Sequence, residues 1–435
     1  MTQSQRPSRG ARRLSALMAI AVLGAAMLIP AASASAAEPT DMVLEWNLNA
    51  VNAIGTLTTA TPPGLGQVPP IAAINLAMVQ VAIYDAVNAI DGTHEPYLLD
   101  IHAPSGASEA AAAATAGHNV LVGLVATPPA GYVAELDRLY GLSLSHIPDG
   151  QAKIDGITVG TAAAAVMLAN RVGDGRTGTQ TWPIGTQPGE WRPVPPLANN
   201  VFGYIGNVRP FSLLRTNQFK VDAPPKLTSK QYAREFNEVK ALGAKTGSSR
   251  TADQDALANW IVVNPFGQQN AIFRNLSTSR GLSTAEQARL FALTSVSSAD
   301  ALIDCFNQKG FYHFWRPQTA IQMAGTDGNP NTTADPNWVS LFPTPGYPDM
   351  PSGYNCYTAA NMNAGRAFFG TDNVAFDVTN SAGTRSYTQF TGYVHDAIEG
   401  RILIGFHFRS ADENGAWLGQ KAAQWVVNHD FRLGH

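Results

Sequence analysis

An all-α fold of two packed helical bundles, joined by an ordered proline-rich connection, is predicted by three observations. Apolar residues recur at three- and four-residue steps, capping-box pairs mark helix starts, and strand-like alternation is scarce. From the beginning of the first bundle, Ile74, Met78, Val81, Tyr84 and Val87 place a helix over 71–90, and Gly92 stops it. An alanine-rich stretch over 108–125 follows, then 132–140 and 154–169. Each is apolar on a face it cannot leave in water, so the four can pack together. Eight prolines between Pro183 and Pro225, interspersed with Trp and Phe, then interrupt any helix; that segment reads as an ordered wrap or linker. Helices resume after it. Thr251 with Gln254, and Ser283 with Glu286, are capping-box pairs, the second opening a long helix that runs through 301 to 306. No repeat at solenoid spacing is visible.

The expected organisation is therefore a signal peptide over 1–36, an N-terminal bundle over 37–173, a connection over 174–228 and a C-terminal bundle over 229–435. The signal peptide rests on Arg6, Arg9, Arg12 and Arg13, an apolar run from Leu14 to Pro30, and Ala34-Ser35-Ala36 before Ala37. It implies a secreted, extracellular protein. The Arg12-Arg13 pair is only a faint twin-arginine signal, and no later stretch reads as long enough to span a membrane. With 45% hydrophobic and 14% charged residues a sizeable core is assured. A net charge of −3 argues against nucleic acid or an acidic membrane as partner. Cys305 and Cys356 are the only cysteines, too few for a metal site; pairing and two buried thiols both stay open.

Three stretches near the C-terminus carry chemistry. In Lys309-Gly-Phe-Tyr-His-Phe-Trp-Arg316-Pro317 the two cations, seven apart, would project from one helical face beside aromatic rings. Such an arrangement is costly unless an anion lies between them, although alone it reads more simply as a surface pair meeting carboxylates. Pro351-Ser352-Gly353-Tyr354 opens a helical run. A helix start offers unpaired amides and partial positive charge, and glycine allows close approach. By itself this is an ordinary helix cap. In Arg401-Ile-Leu-Ile-Gly405-Phe-His407, arginine brings a forked donor for oxyanion oxygens, and histidine a nitrogen that can ligate a metal centre or attack phosphorus. Gly405 would leave room for a bound group on the same face. A lone histidine there is more often structural.

Taken together, the order and spacing of these residues resemble the vanadium haloperoxidase and type 2 phosphatidic acid phosphatase superfamily, in its bacterial haloperoxidase-like branch. The resemblance extends over Trp315-Arg-Pro-Gln-Thr-Ala-Ile321, Asp327-Gly-Asn-Pro330, Thr344-Pro345 and Gly405-Phe-His-Phe-Arg409, and more weakly back to Pro224-Pro225 and Tyr84-Asp85-Ala86-Val87. It implies vanadate as cofactor, or phosphate in the same place. Lys309, Arg316 and Arg401 would neutralise its equatorial oxygens, Ser352 and the Gly353 amide would add hydrogen bonds, and His407 would be the axial metal ligand. Lys309 would then polarise bound peroxide for attack by a halide. Implied partners are hydrogen peroxide, halide and a small organic substrate; the oligomeric state stays open, a homodimer included.

One residue departs from the pattern. The family's proline-serine-glycine motif ends in a histidine that serves as acid–base group, and here position 354 is tyrosine. A phenol of reference pKa about 10 exchanges protons poorly near neutral pH, compared with about 6.5 for imidazole. Tyr354 can still donate a hydrogen bond, and His313 or His395 could substitute from another helix. Ala411 stands where many relatives carry an acidic residue, with Asp412 one step later. Competing readings are an acid phosphatase of the same superfamily, with His407 as nucleophile, and a member without peroxidase activity. Tyr347, Phe314 and Trp315 could wall the pocket or be plain core. Asp327, Asn329, Asn331 and Asp335 read as turn residues, Asp85 and His94 as packing and capping residues.

Overall fold

Two helices, one from each half of the sequence, form the centre of the molecule. The structure is a computed structural model that describes residues 41–434; the signal-peptide expectation lies outside the described residues. The described chain holds thirteen helices. They are α1 (Met42–Gly55), α2 (Ile71–Asp91), α3 (Glu109–Gly123), α4 (Tyr132–Ser145), α5 (Gln151–Asn170), α6 (Lys230–Leu242) and α7 (Ala252–Ile261). After these come α8 (Pro265–Arg280), α9 (Thr284–Tyr312), α10 (Pro317–Gln322), α11 (Gly353–Phe369), α12 (Phe390–Leu403) and α13 (Arg409–His429). One antiparallel hairpin, β1 (Phe376–Asn380) and β2 (Gly383–Tyr387), pairs Phe376 opposite Tyr387. The fold is all-α, as the helical spacing predicts. Helix α1 and the hairpin are elements that the sequence pattern did not single out.

Helix α2 is mostly apolar, with a few polar residues such as Asn75, Gln80 and Asp85, and is buried without a break from Ala72 to Asn88, because α1, α3, α5 and α9 pack against it. Both α2 and α5 are long and apolar enough to cross a membrane, which corrects the expectation that no stretch would be. For α2 the apolar girth is spent on the protein core; a third of the qualifying stretch of α5 is buried. Helix α9 starts at the expected capping box, where Ser283 Oγ accepts from the Glu286 amide and the Glu286 carboxylate accepts from the Ser283 amide. It runs six residues past the expected 306.

The proline-rich segment is an ordered wrap pinned to α9 by two buried carboxylates. Asp300 accepts the backbone amides of Phe211, Ser212 and Leu213 at 2.7–2.8 Å. One turn on, Asp304 accepts from the Phe219 amide at 3.0 Å and from Gln308 Nε2 at 2.5 Å. Irregular backbone needs such partners when it is buried. Asp85 does the same on α2, accepting the amides of Tyr97, Leu98 and Leu99, which is the capping role expected of it.

Burial pushes the Asp304 carboxyl up to about 7, against the lowering effect of its donors. A carboxyl whose pKa is raised by folding holds its proton in the native state. Its contribution to stability is full below the unfolded value of about 4 and is lost as pH rises through about 7. Asp304→Asn is therefore expected to flatten the pH profile. Between pH 4 and 7, urea unfolding should show wild type losing stability relative to the variant; parallel profiles would refute the assignment.

Candidate oxyanion site

The three motif stretches converge on one buried cluster, although not along continuous helices. Lys309 lies in the last turn of α9, whose end is set by His313 in left-handed conformation at φ 49°. Arg316 follows in extended backbone, as a residue before proline prefers, and Pro317 occupies the first position of α10. The two cations thus come from two elements, which corrects the expectation of a shared helical face. Arg401 is likewise in the last turn of α12, and His407 lies beyond the helix. Gly405 does not make room for a ligand. It forms the turn at φ 78°, and a Cβ there would come within 2.6 Å of Gly243 O and 2.9 Å of the Trp338 ring.

Helix α11 begins at Gly353 with Ser352 as its N-cap, yet the Ser352 hydroxyl makes no capping bond to its own helix. That leaves the hydroxyl and the first amides turned to other partners. Lys309 Cε lies 3.9 Å from where a Gly353 Cβ would stand, so the ammonium stem crosses the helix start. Glycines on α13 bring that helix close to the same point: a Cβ at Gly415 would lie 2.5 Å from Ser352 O, and one at Gly419 2.3 Å from Cys356 O. The close approach sets Asp412 beside Asn355, whose Nδ2 donates to it at 2.8 Å and reaches Ser352 Oγ at 3.4 Å.

All of Lys309, Arg316, Ser352, Arg401 and His407 are buried. Lys309 Nζ donates to the carbonyls of Pro348 and Asp349 at 2.7 and 2.9 Å, leaving a third N–H. Burial lowers its pKa to about 8. Arg316 donates from Nε to Tyr347 O and from Nη1 to Phe406 O, and Nη1 approaches His407 Nε2 at 3.1 Å. Arg401 lies between two rings, 4.6 Å from the Tyr354 centroid and 4.7 Å from that of Phe406. Burial, with repulsion from Arg316, Lys309 and Arg401, holds the His407 imidazole well below its usual range, so it is neutral.

Two carboxylates share the cluster. Asp349 Oδ1 lies 2.8 Å from His407 Nδ1 and 3.6 Å from Arg316, with no aligned hydrogen bond to either oxygen. Burial pushes its carboxyl up to about 7, against the pull of Arg316 and Lys309. Burial also raises Asp412. Asp349 and Asn355 were invisible in the sequence, since neither belongs to a spacing that signals chemistry; Asp412 was noticed only as a displaced acid.

The remaining expectations find their places. Tyr354 borders the cluster, and burial raises its phenol to about 12. The ring of His313 binds Pro183 O and edges Trp191, while His395 is largely exposed beside Asp396, so neither substitutes at position 354. Tyr347 stands 5.1 Å from Lys309 Nζ and 4.9 Å from the Arg316 guanidinium, whereas Phe314 and Trp315 are core. Cys305 and Cys356 are free, buried thiols. Asp327 and Asn329 each accept a backbone amide two residues on, as turn residues do; no acid, histidine and cysteine cluster suited to a metal ion occurs among the described residues.

Residues 289–433 match the family described as the VCPO second helical-bundle domain, a span that contains every member of the cluster. Over these residues the chain is similar to that domain family. Vanadium chloroperoxidase of Curvularia inaequalis is 31% identical over 117 residues, an alignment covering 22% of this chain and 19% of that enzyme. The match therefore spans about a fifth of the relative's length. Superposition shows a shared fold over a far larger extent. A bacterial vanadium-dependent iodoperoxidase structure aligns with a TM-score of 0.76 at 23% identity, covering 90% of this chain and 97% of that one. An apo-type bacterial vanadium-dependent chloroperoxidase aligns at 0.64 and 15%, covering 82% and 92%.

Vanadate is the cofactor that the vanadium haloperoxidase relatives imply, and the donor set fits a multiply charged oxyanion. Arg316 Nη2 and Arg401 Nε are buried without a hydrogen-bond partner. Buried donors are normally satisfied, and leaving a charged one bare is costly. An oxyanion beside both would satisfy them, with the α11 start and the third Lys309 N–H as further donors.

Proposed function

We propose that this protein is a secreted, vanadate-dependent haloperoxidase-like enzyme that uses hydrogen peroxide to oxidise a halide for the halogenation of organic substrates. The observation that carries the reading is the pair of unpartnered guanidinium nitrogens, on Arg316 and Arg401, beside a neutral His407. Lys309, Arg316, Arg401, Ser352 and Gly353 would hold vanadate, and His407 would ligate it. When bound, vanadate supplies an electrophilic centre that activates peroxide toward halide.

The chain's own residues prepare that chemistry. A neutral imidazole keeps a lone pair for the metal, which a protonated one lacks. Burial excludes bulk water from the cationic cluster and strengthens its hold on an anion. Tyr354, with its phenol near 12, is a proton donor at neutral pH and cannot take a proton from peroxide. On this reading proton transfer, rather than anion binding, is the slow point. The same residue, with Asp349 and Asp412 inside the cluster, favours a second reading: a member that binds the anion without peroxidase turnover.

The test is a paired assay on purified protein: halogenation with peroxide and halide, with and without vanadate, alongside phosphate-ester hydrolysis. Halogenation that depends on vanadate is expected. Hydrolysis alone would replace this reading with an acid phosphatase. Silence in both, with saturable vanadate binding by calorimetry, would establish the second reading.

A further inference from the structure

We propose that Cys305 and Cys356 form an oxidation site, at which hydrogen peroxide converts the two thiols into a disulfide that staples α9 to α11 behind the anion cluster. The inference goes beyond the proposed function. It takes from that reading only the oxidant, and it needs neither vanadate nor halide.

The crossing of two helices brings the sulfurs together. A Cβ at Gly353 would meet the Phe306 ring at 3.4 Å, Leu302 at 3.8 Å and Lys309 Cε at 3.9 Å. Those three residues therefore mark the face of α9 that lies on the start of α11. Cys305 shares that face, three residues after Leu302 and four before Lys309. Cys356 stands three after Gly353, on the matching face of α11. The Cys305 thiol donates to Pro351 O at 3.5 Å and also contacts the Cys356 thiol. The backbone at Cys356 is fixed on both sides. Its amide is bonded to Ser352 O at 3.0 Å, and Gly419 lets α13 press on its carbonyl. These are the only cysteines in the chain, so each has one partner within it.

Burial selects the oxidant. Both side chains are fully buried. Burial pushes the Cys356 thiol up, the neighbouring Cys305 adds to the rise, and Lys309 opposes it. Thiols in such surroundings are inert toward bulky electrophiles. Peroxide is little larger than water, and the proposed reaction brings it to the anion cluster, where Lys309 stands one turn along α9 from Cys305. One sulfur attacks a peroxide oxygen; the O–O bond breaks, a sulfenic acid forms and water leaves. The second sulfur then attacks the first, the S–S bond forms, and the sulfenic oxygen departs as a second water. The two thiol protons end on the two waters, and peroxide takes up the two electrons that the sulfurs lose. An exported protein meets no glutathione pool to reverse the step. The bond would also fix the spacing between Lys309 and Ser352, each one turn from a cysteine.

Reduced wild-type protein, free of vanadate and halide, would be treated with hydrogen peroxide, then unfolded and titrated for thiols. Both thiols are expected to disappear, a peptide map should find Cys305 joined to Cys356, and a dithiol reductant should restore them. The native protein should stay inert to glutathione disulfide, which is too bulky to enter. Closing a long loop should raise the melting temperature by about 3 °C or more. Peroxide also attacks methionine, so a double variant, Cys305→Ser with Cys356→Ser, is the control; treated alike, it should show no such rise. The proposal is overturned by thiols that survive peroxide, by oxidation to sulfinic acid without the cross-link, or by cross-linking as fast with glutathione disulfide. A melting temperature that responds to peroxide no differently in the double variant also overturns it. Since no readout involves an anion or turnover, failure of vanadate binding or of halogenation would count against the proposed function and leave this inference standing.

Discussion

Tyr354→His is expected to raise vanadate-dependent halogenation by roughly 100-fold, the lower end of what a positioned acid–base group contributes. The phenol, held near 12 by burial, gives up its proton too reluctantly to cycle at neutral pH. An imidazole in the same place would also be buried and would face Arg401, both of which lower its pKa from about 6.5. It would therefore act as a base at neutral pH. Steady-state rates across pH 4 to 9 should show a new limb on the acid side in the variant, with vanadate affinity little changed. An unchanged rate with intact vanadate binding would mean that proton transfer at this position does not limit turnover.

Arg316→Leu carries the second large effect, on binding and on stability together. The side chain donates to two backbone carbonyls, faces Asp349 and holds one of the cluster's two unpartnered guanidinium nitrogens. Removing it leaves Tyr347 O and Phe406 O without those donors and a buried carboxylate less compensated. Proton uptake by Asp349 tempers the cost, leaving a destabilisation of about 3 kcal/mol. Vanadate and phosphate affinity should fall by roughly 100-fold or more. Arg316→Lys separates the two effects, since it keeps the charge and loses the fork. Urea unfolding should find it close to wild type, while calorimetry should show phosphate binding weakened about tenfold. Full affinity in the lysine variant would show that charge alone, not the directed donors, holds the anion.

Both expectations start from residues that the sequence itself exposes. Lys309, Arg316, Arg401 and His407 stand at spacings that resemble a known signature, and Tyr354 stands out as its exception. Their convergence was legible because the motif is specific. The backbone route between them was not. Seven residues from Lys309 to Arg316 look like two helical turns, but His313 in left-handed conformation and Pro317 break the helix between them. Asp349 was hidden for a different reason: an aspartate in a proline-rich loop is an ordinary turn residue until the loop folds against an arginine and a histidine. The two capping boxes appeared where expected because both halves of that interaction lie within four residues. Helix α1 was missed because no cap marks it, as Asp41 makes no side-chain capping bond. What the sequence concealed was tertiary in origin; what it revealed was local or familial.

The turn at Gly405 gives the site a remote foundation. Its Cα packs against Gly243, just past the end of α6, and Leu341 N–H bridges Gly243 O and Ile404 O. His407 is two residues away. His407, the proposed metal ligand, is thus moored to α6, which contributes no residue to the proposed anion site. Any loosening of that mooring, by heat or by a bulkier side chain at the turn, would unsettle the imidazole while the cations stayed in place. Such a protein would keep its affinity for the anion and lose the bond that orients it.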